Sequence, residues 1–359
     1  MMLDRRTLLK RAGLASAGLL LAGNADLAAA RRAGLLLPES LTLPEAYAQD
    51  VDLPGMPPAI TPTDRFYTVS KNTFSDPTVD VNRWRLRVGG SVASSLDLDL
   101  DGIRAFPAVR QIQTLECIDN LVGGDLISNA EWTGVRLADV LGRAGLRDSV
   151  RRIVFQCEDD YSDSIPIEKA MEPTTLLAFE INGQPLPANH GFPVRLLAPN
   201  LYGIKNPKWI SEIRAVDGDY RGFWQRRGWT NDGTIKTMSR IDVPAGGSGV
   251  GSGLVRVGGI AFAGGRGIQT VEISADQGRS WSPATLAGAL APMAWRLWTA
   301  DWMPQPGTPS LTVRTALRRP RERVRGKGSA VVRPSARDGR PRCAGRPPCA
   351  RAPGQRTYR

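Results

Sequence analysis

Thr114-Leu115-Glu116-Cys117-Ile118-Asp119-Asn120 is the stretch around which the chain is organised. Val109, Ile112 and Leu115 alternate, if imperfectly, with polar side chains, which reads as a half-buried strand that delivers Cys117 to its end. Gly123-Gly124 follow, so a bulky group could meet the thiol face-on. An isolated cysteine is more often a small core hydrophobe, and Cys157, inside the β-branched and aromatic run Arg152–Cys157, reads that way.

The same patterning extends on both sides of Cys117. Trp84–Val88 alternates and closes in Gly89-Gly90, and Leu96–Leu100 alternates with aspartates. Leu137, Val140, Leu141 and Ala144 fit a short amphipathic helix stopped by Gly145. Leu176–Ile181 followed by Asn182-Gly183 is a hairpin with a type I′ turn. Phe192–Ala198 and Ile210–Val216 are further strands. Many short strands and few helices predict an α+β domain reaching to about Pro244. The run Gly246–Gly253 has glycine spacings of a phosphate loop, but no Lys-Ser/Thr follows, and it reads as a flexible linker. Beyond it Val255–Phe262, Ile268–Ser274 and Trp295-Arg296-Leu297-Trp298, with its tryptophans on one side, have the rhythm of a small β-sandwich.

Charge is unevenly placed. The 359 residues carry a net +12, yet residues 318–359 alone hold 14 Lys and Arg against 2 Asp and Glu, so the body is neutral. A basic footprint confined to a terminal tail argues against nucleic-acid binding by the folded part. Four cysteines are too few for a disulfide scaffold, and a single histidine, His190, excludes most His-built metal and haem sites. At the N-terminus Arg5-Arg6-Thr7-Leu8-Leu9-Lys10 precedes an apolar run from Ala12 to Ala22 and then Ala28-Ala29-Ala30. That is the order of an export signal, and the paired arginines resemble a twin-arginine signal, which implies a periplasmic or extracytoplasmic protein. The proline-rich residues up to 63 read as an extended lead-in lying on the surface.

From Asp64 to about Arg314 the chain resembles the sulfite oxidase family of molybdopterin-dependent oxidoreductases. The resemblance is carried by Arg65–Asn72, Leu115-Glu116-Cys117, Asn182–Pro187, His190–Arg195, Asn206–Trp209 and Trp224–Arg227, and after the linker by Val271–Ser274 and Gly278–Trp281. It implies a molybdopterin-binding domain (64–244) and an immunoglobulin-like dimerisation domain (254–317), which with the readings above give an export signal (1–30), a lead-in (31–63) and a linker (245–253) around them. A basic disordered tail (318–359) stands where the family would finish its last strands, as a reading-frame change would leave it. The expected homodimer is weakened accordingly.

The resemblance also assigns roles. Cys117 would be the metal's thiolate ligand, a soft donor suited to a metal held by a molybdopterin dithiolene. Val69, Ser70, Lys71, Asn72 and Thr73 would touch the pterin, as would one aspartate of Glu158-Asp159-Asp160, matched at Asp159. Arg195 and Lys208 would hold its phosphate, with His190, Asn206 and Pro207 beside them. Lys71 stands where the family's animal and plant members place an arginine, Leu121-Val122 where Arg-Arg would continue, and Trp229 where a tyrosine is expected. Losing the guanidinium fork argues against an oxyanion such as sulfite. An apolar pocket of Leu121, Val122 and Trp229 would suit a neutral sulfoxide or N-oxide. No Cys-x-x-Cys-His haem motif is present, so electrons would pass to or from an external cytochrome or membrane redox subunit. Sulfite dehydrogenation and a cofactor-free binding module are the alternatives.

Overall fold

A computed structural model describes residues 53–72, 75–251, 253–304 and 310–317. The export signal, most of the lead-in, Thr73 and the basic tail lie outside the described residues.

Two sheets build the first part of the molecule. One has the order β2 (Leu96–Leu98), β1 (Leu86–Gly90), β10 (Ile210–Val216), β5 (Arg152–Cys157), β6 (Ser162–Pro166), with β1 and β10 parallel and the other pairs antiparallel. The other runs β3 (Ala108–Glu116), β4 (Ile127–Arg136), β7 (Leu176–Ile181), β8 (Gln184–Pro185), and β9 (Arg195–Leu197) also pairs with β7. The described helices are short: α1 (Leu100–Arg104), α2 (Leu137–Ala144) and α3 (Ile167–Ala170). The α+β expectation therefore holds in a strongly β form. Asp99 caps α1 by accepting from the Gly102 amide at 2.8 Å. Gly145 ends α2 at φ 70, a left-handed conformation in which a Cβ is strained.

Leu86, Val88, Ile153, Phe155, Ile210 and Ile213 from the first sheet pack with Val135, Val140, Leu141, Leu177 and Leu196, and Cys157 sits in this core. At about 25 cal/mol per Å² of apolar area, each such side chain contributes roughly 1.5–3 kcal/mol. The hairpin at Asn182-Gly183 has φ 51 and 73, both positive as a type I′ turn requires.

β4 carries no apolar alternation because nearly every residue in it is buried, Ser128, Asn129, Glu131 and Thr133 included. Those polar side chains hold the end of the lead-in. Asn129 Nδ2 donates to the Ala59 carbonyl at 2.8 Å, the Thr61 amide donates to the Asn129 carbonyl at 2.7 Å, and the Tyr67 amide donates to Ser128 Oγ at 3.1 Å. The lead-in is thus not a surface strap throughout, since Thr61 is buried. Its anchoring aims Phe66–Lys71 across the end of β3.

The last part is a two-layer sandwich. Its sheets are β11 (Met238–Val243), β12 (Val255–Phe262), β16 (Arg296–Trp302), β15 (Thr285–Leu286), and β14 (Ser282–Pro283), β13 (Ile268–Ser274), β17 (Thr312–Leu317). Val257, Val271, Ile273, Trp298 and Val313 fill the space between them. Two expectations are corrected here. β11 belongs to this sandwich, so residues 245–253 connect two strands of one sheet and do not separate domains. The tryptophans of β16 and its approach do not share a face. Trp298 fills the sandwich core, whereas Trp295 packs with Ile127 and Ile235 against the first part of the molecule. Residues three apart in a strand point to opposite sides.

Candidate active site

Cys117 is the first residue after β3, where the chain leaves the sheet for a loop closed by Cys117 N donating to the Leu126 carbonyl at 2.9 Å. The thiol is buried and free, and it lines an open cleft. Around the same cleft stand Val69, Ser70, Lys71, Asp159, His190, Arg195, Asn206, Pro207, Lys208 and Trp229. Residues separated by up to 160 positions are thus brought together, as the resemblance implied. Asp159 lines the cleft and its neighbour Asp160 is not among the lining residues. Asn72 stands behind the wall, its Nδ2 donating to Asp159 Oδ2 at 3.3 Å. Leu121 and Val122 do not line the cleft. They are 79% and 64% exposed, on the loop beyond Asn120, so the apolar pocket expected from them is not formed. Aromatic rings take that place, with Trp224 and Trp229 meeting edge to face at 5.9 Å.

A cluster of cations marks one end. Arg195 on β9 is buried, its Nη1 donating to the His190 carbonyl at 3.0 Å and its guanidinium lying 5.2 Å from the Trp132 ring. Among the described residues its Nε has no partner. Burial lowers Arg195 to about 10, and burial reinforced by Arg195 lowers Lys208 to about 8. His190 falls to about 4 for the same two reasons and is neutral at pH 7. Its Nε2 faces the Thr63 carbonyl at 3.3 Å and must donate there, which leaves Nδ1 as an acceptor. Gly191 makes this crowding feasible. It sits at φ 107, and a Cβ would lie 3.0 Å from Lys208 Cβ and 3.1 Å from Arg195 Cβ. The Asn206 side chain is fully engaged, accepting from the Ala198 amide at 2.7 Å and donating to the Leu201 and Tyr202 carbonyls at 3.1 and 2.9 Å. It shapes the loop and does not reach outward.

At the other end burial, with the charges of Asp119 and Glu116, pushes the Cys117 thiol up to about 11. Tyr67, half-buried beside it, is raised further, mainly by desolvation of its hydroxyl. Cation and thiol are both pushed towards neutrality, so the cleft favours a ligand that is positive beside Cys117 and negative beside Arg195 and Lys208. Among the described residues no three His, Cys, Asp or Glu side chains converge on a point, so a metal here would bring most of its own ligands. A thiolate-ligated metal carried by an anionic organic group fits these residues. The partnerless Arg195 Nε is the atom it would satisfy.

Lys71 is not a free charge. Its Nζ lies 3.7 Å from Asp159 Oδ2, 3.0 Å from Asn72 Oδ1 and 5.2 Å from the Phe223 ring. Sequence reasoning missed Tyr67, Tyr161 and Trp224 as lining residues, and also the sealed ion pair behind them, Lys205 Nζ to Asp163 Oδ1 at 2.7 Å. Trp224 had a visible signal in Trp224-Gln225-Arg226-Arg227. The ion pair, 42 residues apart, had none.

Residues 73–224 match the model of the oxidoreductase molybdopterin binding domain. The chain is 34% identical over 286 residues to mitochondrial sulfite oxidase of Mus musculus, covering 67% of this chain and 52% of that one. It is 31% identical over 150 residues to the uncharacterized oxidoreductase YuiH of Bacillus subtilis, covering 42% of this chain and 74% of that one. It thus spans about half the length of the animal sulfite oxidases it matches. The crystal structure of the sulfane dehydrogenase SoxCD from Paracoccus pantotrophus superposes with TM-score 0.64 at 23% identity, over 78% of each chain, and so shares the fold. With the cleft described above, these matches settle the family: the chain belongs to the sulfite oxidase family of oxidoreductases, whose cofactor is molybdenum held by molybdopterin.

Proposed function

We propose that this chain is an exported enzyme that moves one oxygen atom and two electrons between its molybdenum centre and a small neutral sulfur or nitrogen oxo compound. One observation carries the reading. A free thiol, Cys117, and a cation whose buried Nε has no partner among the described residues, Arg195, open onto the same cleft. Cys117 would supply the thiolate, Arg195 and Lys208 the phosphate contacts, and His190 an acceptor at Nδ1. The bound cofactor supplies the oxo exchange and the two-electron capacity. The protein's part is orientation, exclusion of water by Tyr161, Trp224 and Trp229, and local charge.

The substrate assignment rests on Lys71. Its charge is matched by Asp159, and aromatic rings replace the arginine fork, so the cleft offers an oxyanion little net attraction. Similarity to sulfite oxidases favours sulfite oxidation as the second reading. The electron partner is an external cytochrome or membrane redox subunit, and the four-plus-three-stranded sandwich is assigned as the immunoglobulin-like dimerisation domain.

Elemental analysis of the purified full chain tests the reading, with about one molybdenum per chain expected. Cys117→Ser is expected to keep molybdenum and pterin, held by Arg195 and Lys208, to lose turnover, and to show one fewer sulfur scatterer in X-ray absorption at the metal. A folded chain without molybdenum would instead favour a cofactor-free binding module. Turnover of dimethyl sulfoxide or trimethylamine N-oxide with reduced viologen, weighed against sulfite with ferricyanide, separates the two substrate readings.

A further inference from the structure

Behind the aromatic wall lies a polar network that no step above uses. Lys205 and Asp163 have side chains 1% exposed each and meet at 2.7 Å. Each also reaches the loop that carries the wall, from opposite ends. Asp163 Oδ2 accepts from Gln225 Nε2 at 3.1 Å, and the same Nε2 donates to the Thr230 carbonyl at 3.4 Å. Lys205 Nζ donates to Asn231 Oδ1 at 2.8 Å. Trp229 lies between those two anchors and Trp224 immediately precedes the first, their backbones joined by Trp229 N donating to the Trp224 carbonyl at 3.2 Å.

The backbone is moulded to the same contact. The Phe223 amide donates to the Ser162 carbonyl at 2.7 Å. A Cβ on Gly222 would lie 2.3 Å from that carbonyl oxygen and 2.7 Å from Asp163 Cα, and one on Gly233 would lie 2.8 Å from Lys205 Cγ. The network also meets the cleft directly, since Tyr161 OH donates to the Ile204 carbonyl at 2.6 Å and lies 3.4 Å from Asp163 Oδ2.

A buried ion pair is a poor source of stability, because desolvation offsets most of the attraction. Replacing both partners with apolar groups is often neutral or stabilising. What such a pair can add is a fixed arrangement of the groups it touches, and here its hydrogen bonds run to the loop that carries the aromatic wall.

We propose that Lys205 and Asp163 are positioning residues, a clamp that fixes the Trp224–Asn231 loop and so sets the fit of the substrate against Trp229. The inference deepens the assignment of the cleft as a reaction chamber and rests on it. Tyr161, Gln225 and Asn231 transmit the clamp, and neither charged group enters the cleft lining.

The test uses the full molybdenum-loaded chain bearing Asp163→Leu with Lys205→Met. Urea unfolding is expected to stay close to wild type, and molybdenum content unchanged, because Cys117, Arg195 and Lys208 are untouched. KM for dimethyl sulfoxide is expected to rise roughly tenfold with kcat falling less than about threefold. Acrylamide quenching of Trp229, isolated by difference from the same background carrying Trp229→Phe, is expected to increase. Gln225→Met cuts the loop from Asp163 while leaving the ion pair, and should reproduce both changes if the double variant does not fold. Wild-type KM and unchanged Trp229 quenching in either folded variant overturn the clamp. Because the quenching readout needs no turnover, increased quenching in a chain that turns over none of the oxo compounds supports the clamp while refuting the functional reading.

Discussion

Lys208→Met offers a perturbation whose sign reverses with pH. In the cofactor-free chain burial and the neighbouring Arg195 hold the Lys208 ammonium at about 8, against an ordinary 10.5. Below pH 8 folded and unfolded chains both carry that proton, and the folded one pays the whole desolvation penalty, about 3 kcal/mol for this gap. Between about 8 and 10.5 the unfolded chain binds more protons, so this group's contribution to stability climbs with pH. Methionine removes the penalty. It also removes the contact over Trp209 at 4.1 Å and the bond to the Asn189 carbonyl at 2.8 Å, about 1 kcal/mol each. The cofactor-free variant should therefore be about 1–2 kcal/mol more stable than wild type at pH 7, level with it near pH 9, and less stable by about pH 10.5, where the penalty is relieved but the contacts are still missing. Urea melts at pH 7, 8, 9 and 10 measure it. Taking the difference between the two proteins cancels Cys117, which titrates in the opposite sense across the upper part of that range. Once loaded, the order reverses, because Lys208 then faces its counter-charge and the variant should lose cofactor faster on gel filtration. A stability difference that does not change with pH, or a variant less stable at pH 7, would refute the argument that this lysine is held against its charge.

Two further outcomes follow from the same geometry. Gly191→Ala, at φ 107 and with a Cβ thrust against Lys208 and Arg195, should cost about 1–3 kcal/mol and lower retained molybdenum, read by calorimetry and metal analysis. Asp159→Asn keeps the cap on the Tyr161 amide, now at 3.1 Å, but releases the Lys71 charge 3.7 Å away. It should lower KM for sulfite roughly fivefold, about 1 kcal/mol of recovered attraction, while KM for a sulfoxide stays within about twofold. An unchanged sulfite KM would show that Lys71 does not meet substrate.

What the sequence made legible was whatever a local pattern encodes. β5, β10, β12 and β13 have the bounds read from their β-branched runs, and α2 ends at the glycine that stops its periodicity. β4 escaped because burial on both faces removes alternation, and its buried side chains include Asn129 and Glu131. Residues 238–243, which form β11, were counted with the first domain because a glycine run looks alike in a linker and in a long strand connection. In the site, the residues that carry charge or sulfur were found through the resemblance, and the structure draws them onto one cleft. Leu121 and Val122 were misplaced by extending a motif past Asn120, where the loop turns outward. Nothing local pairs Lys205 with Asp163, since a buried charge announces its partner only through the fold.

The hairpin between β5 and β6 shows how the two kinds of information divide. It presents Asp159 and Asp163 four positions apart, each against a lysine from a distant segment, with Tyr161 between them. The Asp163 pair is sealed, and its bonds extend to Ser164, Gln225 and Asn231, so disturbing one partner leaves a buried charge that costs roughly 3–5 kcal/mol. The Asp159 pair is longer at 3.7 Å, its side chains are 5% and 14% exposed, and it borders the cleft. Changing its charge therefore alters what the cleft attracts while leaving the loop's anchors in place. Substrate charge preference can vary at Asp159 and Lys71 on a scaffold whose geometry is held by Asp163 and Lys205. On the roles proposed for these residues, four positions of sequence thus separate the specificity of the site from its architecture.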